Sequence, residues 1–176
     1  MKTRRPVHPK ARRAAPLATI DLLVLDVDGV LTDGRLYFSS RGEELKVFHV
    51  RDGHGIKLLM LSGVTVAAVS GRRSAAVTAR MRELGVRHLV QACSDKVAAL
   101  ADLTRKLGID RKASACIVDD TPDLPLMSAV GFAAAVADAH PLVKSAAHWT
   151  STAPGGAGAV RELCDAILRA RAGGGR

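Results

Sequence analysis

The sequence predicts an α/β fold: a doubly wound parallel sheet with helices on both faces and a β-hairpin inserted after the first strand. Three observations carry this prediction. Apolar runs alternate with helix-period stretches along most of the chain, the pattern of repeated strand–helix units. The first run, Ile20–Asp26 (IDLLVLD), is almost continuously apolar, as a strand buried on both faces must be. Hydrophobic residues make up 48% of the chain, yet the aromatics are only Tyr37, Phe38, Phe48, Phe132 and Trp149, so the core is built from Ala, Val and Leu. At 176 residues the chain fits one domain, expected over 17–170, and no internal repeat or second domain is visible.

Each element has a local reason. After the first strand, Leu36–Ser40 and Leu45–Val50 are short alternating segments around Arg41-Gly42-Glu43, which reads as a hairpin. A helix through Ile56–Leu61 precedes strand Val64–Ser70 (VTVAAVS). Helix Ser74–Leu84 stops at Gly85 and helix Asp95–Leu107 at Gly108, each a left-handed cap position. Strand Arg87–Gln91 lies between them. Strand Ser114–Asp119, helix Asp123–Val130, strand Phe132–Ala137, helix Pro141–Ala146, a short strand His148–Thr150 and a helix from Ala159 to about Arg169 complete the chain.

The formal charge of +9 looks at first like a nucleic-acid footprint, but its location argues otherwise. Residues 1–16 carry Lys2, Arg4, Arg5, Lys10, Arg12 and Arg13 without an acid, and 169–176 carry Arg169, Arg171 and Arg176, leaving 17–168 formally neutral. The basic segments 1–16 and 171–176, rich in Pro, Ala or Gly, read as disordered tails. With so few aromatics to stack bases on, no nucleic-acid partner is expected. Cys93, Cys116 and Cys164 are odd in number and widely spaced, which fits reduced thiols in a cytoplasmic protein. No apolar run reaches the ~18 residues that span a bilayer, and no secretory apolar region begins the chain. The Arg-rich start could imitate an organellar transit peptide; an unstructured extension is the simpler reading.

In open parallel sheets ligands sit beyond the carboxyl ends of the strands. There the sequence places Asp26 and Asp28, then Ser70, then Lys96 at a helix start, then Asp119 and Asp120. So many carboxylates at one edge are tolerable only around a cation, and oxygen ligands beside a phosphate point to Mg²⁺. Ser70 and Lys96 supply a hydroxyl and a positive charge to a transferring phosphoryl group. Taken alone, DVDG also fits a turn with solvated acids or the D-x-D metal site of a sugar-nucleotide transferase. Response-regulator receivers gather similar residues, but in a different order.

The order nucleophile loop, Ser, Lys, Asp-Asp resembles the haloacid dehalogenase superfamily, through LDVDGVLTDG, VSGRR, CSDK and IVDDTPDLP. The likeness extends over roughly residues 20–168: DVDGVLTDG, EELKVFHVRDGHGIK, VSGRR, VADAHP and GGAGAVRE together resemble the 3-deoxy-D-manno-octulosonate 8-phosphate phosphatases. That resemblance implies a Rossmann-like core and a Mg²⁺-dependent phosphatase acting on a sugar-acid phosphate in lipopolysaccharide biosynthesis. It implies Asp26 as nucleophile forming an aspartyl-phosphate, and Asp28 as acid and then base. The Asp26 carboxylate, the Asp28 backbone carbonyl and the Asp119 carboxylate would hold Mg²⁺, with Asp120 and Asp123 behind them. The position before Asp119, usually Gly in this family, is Val118, a β-branched residue ill suited to positive φ; a slightly altered strand end is expected.

A hairpin and a helix use most of the stretch between Asp26 and Ser70, so no cap domain fits. The family answer is a homotetramer with hairpins assembled centrally, and the hairpin here carries Tyr37, Phe38 and Phe48; the alternative is that these fill the local core. Arg51, Arg72 and Arg80 are candidates for the substrate carboxylate. Arg161, after the Gly155, Gly156 and Gly158 run, either reaches a neighbouring site or is a solvated helix-start arginine. The histidines show no metal spacing; His54 reads as structural or as support for the site, and His140-Pro141 as a turn. Rival readings are a nine-carbon, sialic-acid-type 9-phosphate phosphatase and a catalytically silent partner of a sugar-nucleotide synthetase.

Overall fold

A computed structural model of the chain describes residues 15–40, 42 and 44–173, with Glu44 described by its backbone alone. The strands are β1 (Leu22–Leu25), β2 (Tyr37–Phe38), β3 (Glu44–Leu45), β4 (Thr65–Val69), β5 (His88–Val90), β6 (Ser114–Val118), β7 (Phe132–Ala135) and β8 (Trp149–Thr150). The helices are α1 (Val50–Leu61), α2 (Ala75–Leu84), α3 (Lys96–Leu107), α4 (Leu124–Ala129), α5 (Pro141–Ala146) and α6 (Ala159–Gly173). Six strands form one sheet in the order β5-β4-β1-β6-β7-β8, and every pairing in it is parallel. The chain winds outward from β1 through β4 to β5, then returns to β6 and winds the other way. The direction of winding therefore reverses between β1 and β6, where parallel sheets open their binding crevice. Helices α1, α2 and α6 pack together, as do α3, α4 and α5.

The strand sequences explain the burial. All four residues of β1 and of β7 and all five of β6 are buried. Ala67, Ala68, Ala115 and Ala133–Ala135 keep the sheet thin enough for helices to approach from both sides. Gly85 and Gly108 adopt the expected left-handed φ of +81° and +66°. Val118 pairs in regular register with Ala135, and Ala92 is the only described non-glycine residue with positive φ, so the Val118 strand end is undistorted.

Three boundaries differ from the sequence reading. Helix α1 starts at Val50 rather than Ile56, because His49 caps it by accepting the Arg51 N–H at 3.2 Å. Gly53 and Gly55 sit inside it for close packing: a Cβ on Gly55 would lie 2.8 Å from Arg161 Cδ, and one on Gly53 would lie 2.3 Å from Arg80 Nη2. The hairpin strands are shorter than expected, pairing only Tyr37 with Leu45 and Phe38 with Glu44. Helix α6 runs past residue 170 to Gly173, and Arg171 donates to the Ile20 carbonyl at 2.6 Å, so 171–173 belong to the fold rather than to a tail. Ala15 likewise donates to the Gly131 carbonyl at 2.9 Å. The rest of both expected tails, 1–14 and 174–176, lies outside the described residues.

Candidate active site

The carboxyl edge of the sheet is anionic by construction. Asp26 follows β1, Asp119 follows β6, and a 3-10 turn over Thr121–Asp123 brings Asp123 back toward both. Carboxylate oxygens of these three residues lie within 4.8 Å of one another. Lys96, the first residue of α3, reaches across from the β5 side and places Nζ 2.8 Å from Asp26 Oδ1 and 2.8 Å from Asp123 Oδ2. The Val27 N–H donates to the same Asp26 oxygen at 2.8 Å, which fixes the plane of that carboxylate.

One cation does not balance three carboxylates held so close together. Burial pushes Asp26 up to about 7, against the pull of Lys96 and with the push of Asp123. Burial, with Asp123 and Asp120 adding negative charge, pushes Asp119 up to about 6. Asp123 Oδ1 is ion-paired with Lys96 Nζ at 2.8 Å but outside hydrogen-bond geometry; it is the one buried side-chain oxygen among the described residues that accepts no hydrogen bond. Gly29 closes the other side: at φ +82°, a Cβ there would lie 2.0 Å from Asp119 Oδ2. An oxygen that accepts no hydrogen bond, a crowd of hard oxygen donors and a glycine where any Cβ would strike Asp119 fit a small divalent cation such as Mg²⁺.

The DVDG loop is tied down locally. Thr32, 1% exposed, accepts the N–H groups of Gly29 and Gly34 at 3.4 and 3.3 Å. The glycine segment after β8 presses on it, with Gly156 N–H donating to the Val30 carbonyl at 2.9 Å. Ser70 is buried at the end of β4, and its Oγ accepts the Arg72 N–H at 3.1 Å.

Asp28 faces a different neighbourhood. Its Oδ1 takes an ion pair from Lys46, which follows β3, and its Oδ2 lies 3.9 Å from Arg72 Nε. Lys46 was not anticipated from the sequence. The structure thus brings together Asp26, Lys96, Asp119 and Asp123, while Asp28 and Ser70 at the same edge both meet Arg72. Asp120 stays exposed and uses its carboxylate to accept the Thr121 N–H at 2.7 Å.

Of the four arginines, only Arg72 approaches the carboxylates. Arg51 is exposed in the first turn of α1. Arg80 lies 6.0 Å from the centre of the Phe48 ring and pairs with Glu83 at 2.8 Å. Arg161 pairs with Asp165 at 2.8 Å, and its N–H donates to buried Asp52. His54 is exposed on α1, whereas His140 caps α5 by accepting the Leu142 N–H at 3.2 Å and donates its own backbone N–H to the Asp119 carbonyl.

A cluster of three carboxylates with a lysine at a parallel sheet's switch point is the edge of a metal-assisted phosphoryl-transfer hydrolase. A family model described as haloacid dehalogenase-like hydrolase matches residues 88–162. The 3-deoxy-D-manno-octulosonate 8-phosphate phosphatase of Yersinia pestis is 48% identical over 154 residues, covering 88% of this chain and 82% of that protein. The Escherichia coli K12 enzyme of the same name is 47% identical, covering 89% and 84%. The crystal structure of the Yersinia pestis enzyme superposes with a TM-score of 0.88 at 47% identity, covering 89% of this chain and 85% of that one. The Moraxella catarrhalis enzyme, crystallised with magnesium, phosphate and the sugar acid, gives 0.87 at 41% identity, covering 89% and 90%. The chain belongs to this phosphatase family within the haloacid dehalogenase-like hydrolases. No helix among its described residues is long and apolar enough to cross a membrane.

Proposed function

We propose that this chain is a Mg²⁺-dependent phosphatase that hydrolyses 3-deoxy-D-manno-octulosonate 8-phosphate to the sugar acid and phosphate, a step of lipopolysaccharide biosynthesis in the cytoplasm. The observation that carries this reading is the convergence of Asp26, Asp119 and Asp123, with oxygens within 4.8 Å of one another and Lys96 bridging two of them. Asp26, Asp119 and Asp123 would hold the ion, with the Asp28 backbone carbonyl that the resemblance adds. When bound, it neutralises the carboxylates and the charge developing on the phosphoryl oxygens.

Asp26 attacks phosphorus, and the bond to the sugar oxygen breaks as Asp28 gives that oxygen a proton. Asp28 then takes a proton from water as the water oxygen bonds to phosphorus and the Asp26–phosphorus bond breaks. Lys96 and the Val27 N–H keep Asp26 oriented, and Ser70 and Lys96 meet phosphoryl oxygens. Arg72, exposed beside Asp28, takes the sugar carboxylate.

Assembly as a homotetramer is part of the proposal. It is supported by the hairpin, where Phe38 is 63% exposed and Leu45 58%. Arg51 and Arg161 would then serve a neighbouring site. Deleting the chain from Thr152 cannot test this, because α6 buries Val160, Leu163, Cys164 and Ile167. Phosphate release from the eight-carbon and the nine-carbon sugar-acid phosphates, each with and without Mg²⁺, tests the activity. Release from the eight-carbon ester only when Mg²⁺ is present is expected; no Mg²⁺-dependent release, or preference for the nine-carbon ester, would overturn it.

A further inference from the structure

We propose that Lys46 is a positioning residue for proton transfer, locking one oxygen of Asp28 so that the other handles the proton. The inference rests on the phosphatase reading above and deepens it. Lys46 follows β3 between two exposed residues, Leu45 at 58% and Val47 at 57%. Its own side chain is 1% exposed and ends on Asp28 Oδ1, eighteen residues earlier in the chain. Period-2 alternation thus runs inverted here: the apolar side chains face out and the lysine faces in. Burying an ammonium is costly unless a carboxylate meets it, and a surface hairpin has no folding need to pay that.

The partner explains the burial. Asp28 Oδ1 is clasped by a buried cation, whereas Oδ2 lies 3.9 Å from the 43% exposed Arg72. With Oδ1 fixed, the carboxyl plane is set and Oδ2 is the oxygen that meets substrate. In the first step the proton on Asp28 moves to the sugar oxygen as the phosphorus–oxygen bond breaks. In the second a water proton moves to Asp28 as the Asp26–phosphorus bond breaks. Lys46 takes part in neither transfer; it holds the group that does. The hairpin thereby becomes a device that sets the acid–base geometry.

Turnover of the sugar-acid phosphate and of 4-nitrophenyl phosphate by Lys46→Met, followed in steady state and by rapid mixing, tests this in the full chain with Mg²⁺. A 4-nitrophenolate leaving group needs no proton, so the first step survives while the second still needs Asp28. With the sugar-acid phosphate, kcat falls on the order of 10²-fold with KM changed less than about threefold. With 4-nitrophenyl phosphate, a burst approaching one equivalent of nitrophenolate appears, larger than in wild type. A raised KM with unchanged kcat would make Lys46 a substrate ligand and overturn the proposal, as would equal losses on both substrates without a burst. Should Lys46→Met fail to fold or assemble, Lys46→Arg and Lys46→Gln carry the test. Rescue by Arg alone supports positioning, and equal activity of the two overturns it. A wild-type protein without Mg²⁺-dependent phosphate release would instead sink the phosphatase reading itself.

Discussion

The carboxyl edge of the sheet and the hairpin beside it both deliver charged side chains to one crevice, by opposite means. At the edge, Asp26 and Asp119 are fixed by buried strands in regular register, and their like charges crowd around space for a cation. At the hairpin, two short strands expose most of their apolar residues and send in a lysine that meets Asp28. Asp26 and Asp28 are two residues apart and chemically identical. One stands among acids beside a single lysine, the other between two cations. The two side chains therefore meet the crevice in different electrostatic surroundings.

The comparison breaks most sharply at Asp26. Asp26→Asn removes the nucleophile, and turnover should drop by about 10⁴-fold or more. The fold persists, and because one anion leaves the crowd, the melting temperature in Mg²⁺-free buffer near neutral pH should equal or exceed that of wild type. Residual turnover close to wild type would remove Asp26 from the mechanism. Gly29→Ala comes next: its Cβ would strike Asp119 Oδ2 at 2.0 Å, in a backbone conformation that favours glycine. Turnover should fall on the order of 10²-fold with a weakened Mg²⁺ requirement curve, measured as phosphate release against Mg²⁺ concentration.

Phe38→Glu probes the other region. The side chain is 63% exposed on one chain, so the subunit should melt within about 2 °C of wild type. Light scattering should report loss of the assembled species, with turnover reduced on the order of tenfold. A variant that stays assembled at wild-type mass would return the hairpin aromatics to a local role.

The same contrast explains what could be read from residues alone. Strand β1 was legible from its continuous apolar run, and Asp26 because Ser70, Lys96 and Asp119 follow it in order at or just after later strand ends. The ends of α2 and α3 were legible because Gly85 and Gly108 lie where left-handed caps belong. The start of α1 was hidden, since two glycines in its first turns, Gly53 and Gly55, weaken the helical signal, and their reason, Arg80 and Arg161 packed on them, lies elsewhere in the chain. Asp120 and Asp123 looked equivalent as supporting acids. Only the 3-10 turn at Thr121–Asp123 swings Asp123 into the cluster and leaves Asp120 capping that turn. Lys46 was invisible for a deeper reason. A lysine alternating with apolar residues reads as a solvated face, and the inversion becomes apparent only once Asp28 is opposite it.

The smallest effect tests the anionic edge without substrate. Asp26 and Asp119 hold protons in the folded, ion-free protein up to about 7 and about 6, whereas the unfolded chain releases them near 3.8. Between these values the folded state binds more protons than the unfolded state, so stability falls as pH rises. The contribution is complete below about pH 4 and gone once pH passes about 7. Mg²⁺ competes with those protons and binds only the folded site, so its stabilisation should grow over the same window. Thermal melts with and without Mg²⁺ should therefore separate by about 5 °C at pH 7.5 and by about 1 °C at pH 5. Asp123→Asn, which removes one ligand and one charge from the trio, should shrink the pH 7.5 separation, whereas Lys46→Met, which removes a contact to the Asp28 side chain rather than to the trio, should leave it intact. A separation independent of pH would mean that the ion does not bind among these carboxylates.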